Sequence, residues 1–317
     1  MNYLPVELHC HTIHSDGDFT PESLQKAAVE NGLSLIALTD HNTFSGTEEL
    51  KSDICPFIKG IEWTTYFGHM LVLGAKSFVD WRDAVPDNID EKISAVKAAG
   101  GTVGVAHPYQ CGSPICTGGR WEFNVKKWEN VDYIEIWHEA FSEKNTENDR
   151  AAAMWTGLLD KGYRLAASYG RDWHRPNKQT DVLGCTYLGF DGEVCQNTAI
   201  EAIKNGRTVV SVGAKFAFTV SQGEKVYDIG DTVPSGIAKF NFITDLSARE
   251  QYSPNKEIKY KSIKIVTNGG NTELEIPAGQ ISSEIELQSG HWYRAELWGT
   301  IDGKEFPLAI TSPIYIE

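Results

Sequence analysis

Thr20-Pro21-Glu22-Ser23-Leu24-Gln25-Lys26-Ala27-Ala28-Val29-Glu30-Asn31-Gly32-Leu33-Ser34-Leu35-Ile36-Ala37-Leu38-Thr39-Asp40-His41-Asn42 spells out one complete helix-to-strand unit. Thr20 can cap a helix whose first position is Pro21, and Leu24, Ala27 and Ala28 make its apolar face. Gly32 stands just past its end. Residues 33–39 then read as a buried strand that breaks off abruptly in Asp40-His41-Asn42.

The same grammar extends outward. Apolar runs at 57–63, 70–74, 102–106, 133–137 and 165–168 read as further buried strands. Helices are expected at 90–99, closed by Gly100 and Gly101, at 146–161, closed by Gly162, and at 198–205, closed by Gly206. Repeated strand, helix, strand predicts parallel pairing with helices outside, in a barrel or an open α/β sheet. After about residue 213 the pattern changes to short strand candidates at 216–220, 239–244, 262–267, 284–287, 292–298 and 313–316, with turn signals such as Asn268-Gly269-Gly270 and Asp302-Gly303. The chain is therefore expected to divide into an α/β domain, 1–212, and an antiparallel β-sandwich accessory domain, 213–317.

The 317 residues carry a formal charge of −14. That argues against a general nucleic-acid or anionic-membrane surface, so no stable nucleic-acid complex and no membrane association are expected. A phosphate-bearing substrate remains compatible, because bound divalent cations make a pocket locally positive. The first residues lack a basic stretch followed by an apolar run, and no apolar segment is long enough for a membrane span. The six cysteines are scattered; Cys111 and Cys116 come closest, as an unpartnered C-x4-C. Reduced thiols and a cytoplasmic location are the expectation.

Eight of the nine histidines precede residue 175. His9 and His11 are two apart, so on a strand their imidazoles share a face while Cys10 points away into packing. Asp16 sits in Ser15-Asp16-Gly17, a turn able to aim a carboxylate back over the strand end, with His14 close by. His41 and His107 each end an apolar run, where parallel α/β folds collect catalytic groups. Asp40 reads as a turn cap or as a partner orienting an imidazole. Glu62 lies within an apolar run and needs a cation or several hydrogen bonds if buried. His69 opens Met70-Leu71-Val72-Leu73-Gly74, and Asp172 and His174 repeat the two-apart geometry. Nine donors (His9, His11, Asp16, His41, Glu62, His69, His107, Asp172 and His174) exceed what one ion takes, so two or three divalent ions (Zn, Mn or Fe) are expected, with Glu62 bridging.

In residue type and order, His9-Cys10-His11 with Ser15-Asp16-Gly17, Thr39-Asp40-His41-Asn42, Ala106-His107-Pro108 and Asp172-Trp173-His174 resemble the PHP (polymerase and histidinol phosphatase) family of metal-dependent phosphoesterases. Gly60-Ile61-Glu62 and Gly68-His69 fit the same pattern, and the β-rich tail is similar to the CehA/McbA-like branch. The resemblance implies a distorted seven-stranded (β/α) barrel with an appended C-terminal antiparallel β-sandwich. It also implies one ion on His9, His11, Glu62 and Asp172, a second on Glu62, His69 and His107, and a third on Asp16, His41 and His174. Two departures stand out: Arg171 and Trp173 flank Asp172 in place of small residues, and His138 stands where related chains often carry an asparagine.

The leading expectation is hydrolysis of a small phosphomonoester or nucleotide-like phosphodiester by a metal-activated hydroxide. His174 or His14 would protonate the leaving group, and Arg171 would face an anionic substrate. A carboxylic-ester or carbamate hydrolase is the alternative, with Trp63, Trp137 and Trp173 allowing an aryl substrate. A non-catalytic metal-binding interaction module is the third reading. No G-x-S-x-G or P-loop segment is present.

Overall fold

The structure, a computed structural model, describes residues 1–110, 120–139, 146–177, 184–252 and 256–317. The Cys111/Cys116 pair lies outside the described residues.

The first half contains β1 (Asn2–Cys10), α1 (Pro21–Glu30), β2 (Leu35–Leu38), β3 (Phe57–Thr65), β4 (Gly68–Leu73), α2 (Ile89–Ala98), β5 (Thr102–Val105), β6 (Tyr133–His138), α3 (Thr146–Asp160) and β7 (Ala166–Gly170). β8 (Cys185–Phe190), α4 (Gln196–Lys204) and β9 (Thr208–Ser211) follow. Thr20 caps α1 as its sequence predicts, its Oγ1 accepting the Ser23 N–H at 3.1 Å. Along β1 the side chains alternate: Val6, Leu8 and Cys10 enter hydrophobic cores, which leaves Glu7, His9 and His11 together on the other face.

Strands β1 to β7 are laid side by side in chain order. The β1–β2, β2–β3, β5–β6 and β6–β7 pairs are parallel. β4 departs from the expected parallel run, pairing antiparallel with both β3 and β5. Only Tyr66 and Phe67 separate β3 from β4, too short a link for a crossover, so the two form a hairpin. Just past β7, Trp173 forms a parallel bridge with Cys10 and brings the last strand back to the first.

The second half adds β10 (Lys215–Gln222), β11 (Lys225–Asp228), β12 (Thr232–Val233), β13 (Gly236–Asp245), β14 (Ile258–Thr267), β15 (Asn271–Pro277), β16 (Ser282–Leu287), β17 (Trp292–Ile301), β18 (Lys304–Thr311) and β19 (Ile314–Ile316). Strands β10, β11, β13 and β16 form a separate four-stranded antiparallel sheet. The others continue the main mixed sheet, because β18 pairs antiparallel with β9. One core gathers Phe216, Phe218 and Phe240 of the four-stranded sheet with Ile263 and Leu297. Another joins Trp155 and Val210 of the first half to Trp292 and Leu308 of the second.

Candidate metal centre

The candidate donors arrive at one rim of the main sheet. His9 and His11 come from the carboxyl end of β1, His41 from just past β2, His107 from just past β5, and Asp172 and His174 from just past β7. His69 opens its strand instead of ending it, and the hairpin explains why: β4 runs backwards, so its start lies at the same rim. Glu62 sits on β3 directly beside His41, bridged to it backbone to backbone.

Glu62 is fully buried and divides its two oxygens. Oε2 faces His9 Nε2 (3.3 Å), His11 Nε2 (3.5 Å) and His41 Nδ1 (2.8 Å), and Oε1 faces His69 Nδ1 (2.9 Å) and His107 Nε2 (3.2 Å). Asp172 Oδ1 lies 3.3 Å from His9 Nε2 and 2.9 Å from His11 Nε2. Asp16 Oδ1 lies 3.4 Å from His41 Nε2 and 3.1 Å from His174 Nε2. Ligand atoms fall within 4.8 Å of one another in four groups: His9/His11/Glu62/Asp172, Glu62/His69/His107, His11/Asp16/His41/His174, and His107/His138/Asp172.

Behind the donors stands a frame of buried polar groups. Glu135 is fully buried. Its Oε1 accepts a hydrogen bond from His9 Nδ1–H (3.0 Å), and its Oε2 accepts the His107 backbone N–H (3.0 Å). Glu7 Oε1 accepts the backbone N–H groups of Leu8, His9 and Arg171, each at 3.0 Å. His174 Nδ1–H donates to the Asp172 carbonyl at 2.7 Å, leaving Nε2 to face Asp16. Asp40 braces the turn that carries Asp16, accepting from Thr12 N (2.6 Å), Thr12 Oγ1 (2.8 Å) and Ser15 Oγ (2.8 Å). His107 and Asp172 both have positive φ, at 23° and 49°, a conformation rare outside glycine and found where surrounding contacts hold it.

These residues suit divalent cations on two counts. His9 spends Nδ1 on Glu135, so Nε2 is the nitrogen left to face the carboxylate oxygens of Glu62 and Asp172. His9 Nε2, His11 Nε2, Glu62 Oε2 and Asp172 Oδ1 are all buried without a hydrogen-bond partner, an arrangement that calls for positive charge among them. The electrostatics agree. Burial alone would raise the Glu62 carboxyl, yet His9, His107, His41 and His69 hold it well below the usual range. Asp172 is likewise held low against burial by His9, His11 and His138. Burial would lower His9, but Glu135, Asp172 and Glu62 raise it well above an ordinary imidazole.

Two further residues expected near the chemistry stand outside the four donor groups. Arg171 is buried with its guanidinium 3.8 Å over the Trp173 ring and bonded to Asn177. Its charged neighbours include Glu7 and Arg249, so it braces the frame behind the donors. His14 stands at the partly exposed rim, with Nε2 3.0 Å from Glu49 Oε1 and Nδ1 2.8 Å from Ser45 Oγ, outside all four donor groups. Two participants carried no assigned role in the sequence reading, Glu135 and His138. Glu135 had the signal that singled out Glu62, a charge inside an apolar strand.

Residues 7–80 match the PHP domain. An uncharacterized protein of Methanocaldococcus jannaschii is 29% identical over 126 residues, 36% of this chain and 71% of that protein. A 5'-3' exoribonuclease of Haemophilus influenzae is 39% identical over 59 residues, 19% of this chain and 21% of the enzyme, so the shared region spans about a fifth of that relative. Among solved structures, a two-domain protein of Bacteroides vulgatus containing a predicted PHP-like metal-dependent phosphoesterase covers 99% of this chain and 95% of its own, with 17% identity and a TM-score of 0.53. That likeness is one of fold, and it extends through both halves. Residues 7–80 are thus similar to a PHP domain, and they lie within a mixed α/β sheet that continues into a β-rich second half.

Proposed function

We propose that this chain is a metal-dependent hydrolase of esters, acting first on small phosphoric esters or nucleotide-like phosphodiesters. The observation that carries the reading is the basin of buried imidazole and carboxylate atoms that face one another without hydrogen-bond partners. Two or three divalent ions would be held by His9, His11, Glu62 and Asp172, by Glu62, His69 and His107, and by Asp16, His41 and His174. Bound there, such ions neutralise charge on a phosphoryl group and lower the pKa of water.

The chain's own residues do the rest. Glu135, Glu7 and the Asp172 carbonyl fix the imidazoles, so little reorganisation is needed when charge develops. His14, paired with Glu49 at the rim, is the group we assign to carry a proton to the leaving oxygen. Pro108, the residue after His107, lines a groove of about 390 Å³ together with Tyr109, Trp121, Trp128 and Met154 among others. Its aromatic wall suits an aryl or nucleobase leaving group. The same wall supports the alternative, an aryl carboxylic ester or carbamate. We read β1–β7 as a distorted barrel, residues 213–317 as an accessory domain, and the tail as placing the chain in the CehA/McbA-like branch.

The test is reconstitution of chelator-stripped protein with Zn, Mn or Fe, followed by an aryl phosphate, an aryl ester, an aryl carbamate and a short oligoribonucleotide. Chelator-sensitive phosphate release is expected. Chelator-sensitive cleavage of the carboxylic ester or carbamate alone would establish the alternative. Fewer than two ions per chain and no hydrolysis would leave a non-catalytic metal-binding module. A His14→Gln variant is expected to slow substrates with poor alkyl leaving groups far more than those with nitrophenol. Equal slowing of both would remove His14 from that role.

A further inference from the structure

His138 belongs to none of the three donor sets, yet the fold goes out of its way to bring it in. It ends β6, three residues after Glu135, and simple alternation along a strand would place the two on opposite faces. The β6–β7 ladder slips here: Glu135 pairs with Ser168, but Trp137 pairs with Tyr169, so β6 spends one extra residue. Ile136 and Trp137 both turn into the same hydrophobic core, and the bulge returns His138 to the face of Glu135. The His138 backbone N–H is fixed by Asn148 Oδ1 of α3 at 3.0 Å.

The imidazole so delivered is 5% exposed, and its ring lies 4.8 Å edge-on from that of His107. Its Nε2 is 3.3 Å from Asp172 Oδ2. Asp172 therefore divides its oxygens as Glu62 does, Oδ1 to His9 and His11 and Oδ2 toward His138. His107 is common to the Glu62/His69/His107 group and the His107/His138/Asp172 group. We propose that His138 is a further metal ligand, which with Asp172 Oδ2 completes the donor set of the ion at Glu62, His69 and His107, making Asp172 a second bridging carboxylate. This rests on the metal-centre reading above. It predicts an ion enclosed by protein donors beside one left more open at Asp16, His41 and His174.

His138→Gln and His138→Asn each keep a side-chain N–H for Asp172 but remove the imidazole. Wild type, both variants and Glu62→Gln would be dialysed against graded chelator, with metal per chain measured by mass spectrometry. Cobalt-substituted samples would be examined by proton NMR for hyperfine-shifted imidazole N–H signals. The expected result is at least a tenfold loss of affinity for one ion in both His138 variants, and one shifted imidazole signal fewer than in wild type. Unchanged affinity and signal count in either folded His138 variant would overturn the assignment, reducing His138 to a residue that positions Asp172. If wild type itself holds fewer than two ions and Glu62→Gln changes nothing, the metal-centre reading falls and this inference with it.

Discussion

Glu135 touches two donors at once, the His9 ring and the His107 backbone, so it sets the aim of two different strands. Glu135→Gln keeps the shape but removes the charge that holds the His9 Nδ1 proton. We expect metal affinity to fall about 10- to 100-fold with little loss of folding stability, measured by chelator competition beside thermal melting. Gly170 provides an independent route to the same residue, since a Cβ there would collide with Glu135 Oε1. Gly170→Ala should therefore copy the metal phenotype. Glu7 makes a pH prediction. Burial, only partly offset by Arg171 and backbone N–H groups, raises its carboxyl from 4.5 to about 7. A raised acid keeps its proton in the folded chain while the unfolded chain releases it, so stability falls as pH rises from about 4.5 to 7. Metal-stripped Glu7→Gln should match wild type at pH 5 and exceed it at pH 8, by on the order of 3 kcal/mol at most; equal stability at both pH values in urea titrations would contradict this. At this scale most of the donors were legible, because two-apart spacing and abrupt polar strand ends are local signals. Glu135 and His138 were not assigned, since the bulge that aims His138 is a property of two strands and not of one.

Elements were legible where they carry their own punctuation. Thr20, Pro21 and Gly32 bracket α1 in sequence and in structure. β8 and β18 were not foreseen: Gly189 interrupts the first and Pro307 the second, where β18 slips register against β17. The reversal of β4 also escaped the pattern, because an apolar run shows no direction. The close approach of β5 and β6 makes a prediction at this scale. Gly104 pairs with Tyr133, and an added Cβ would strike the Tyr133 ring. Gly104→Ala is expected to cost about 1–3 kcal/mol in denaturant unfolding and, by shifting the end of β5, to weaken metal binding at His107. A neutral effect on both would show that the ring has room to move.

Across the whole molecule, the β-rich half is fastened to the strand that carries the site. Ser312 Oγ accepts the Ala167 N–H of β7 at 2.9 Å and lies 2.6 Å from Thr208 Oγ1 of β9, all three residues being buried. Composition located the change of character near residue 213, but it gave no sign that the main sheet runs through that point. A fragment ending at residue 212 would bare the β9 edge and the faces of Val209 and Val210. It is expected to aggregate or melt at least 10 °C lower than the intact chain in calorimetry. A soluble fragment with unchanged melting temperature and metal content would show that the halves are independent.

The β9–β18 ladder has a consequence for how this architecture can diversify. Lineages usually trade accessory modules at tethers, where a splice disturbs little on either side. Here a splice would cut through paired backbone, so an incoming module would have to supply a matching strand and a serine at the right height. The two halves are bound to vary together, and a graft that ignored this would be felt first at Asp172 and His174, far from the join.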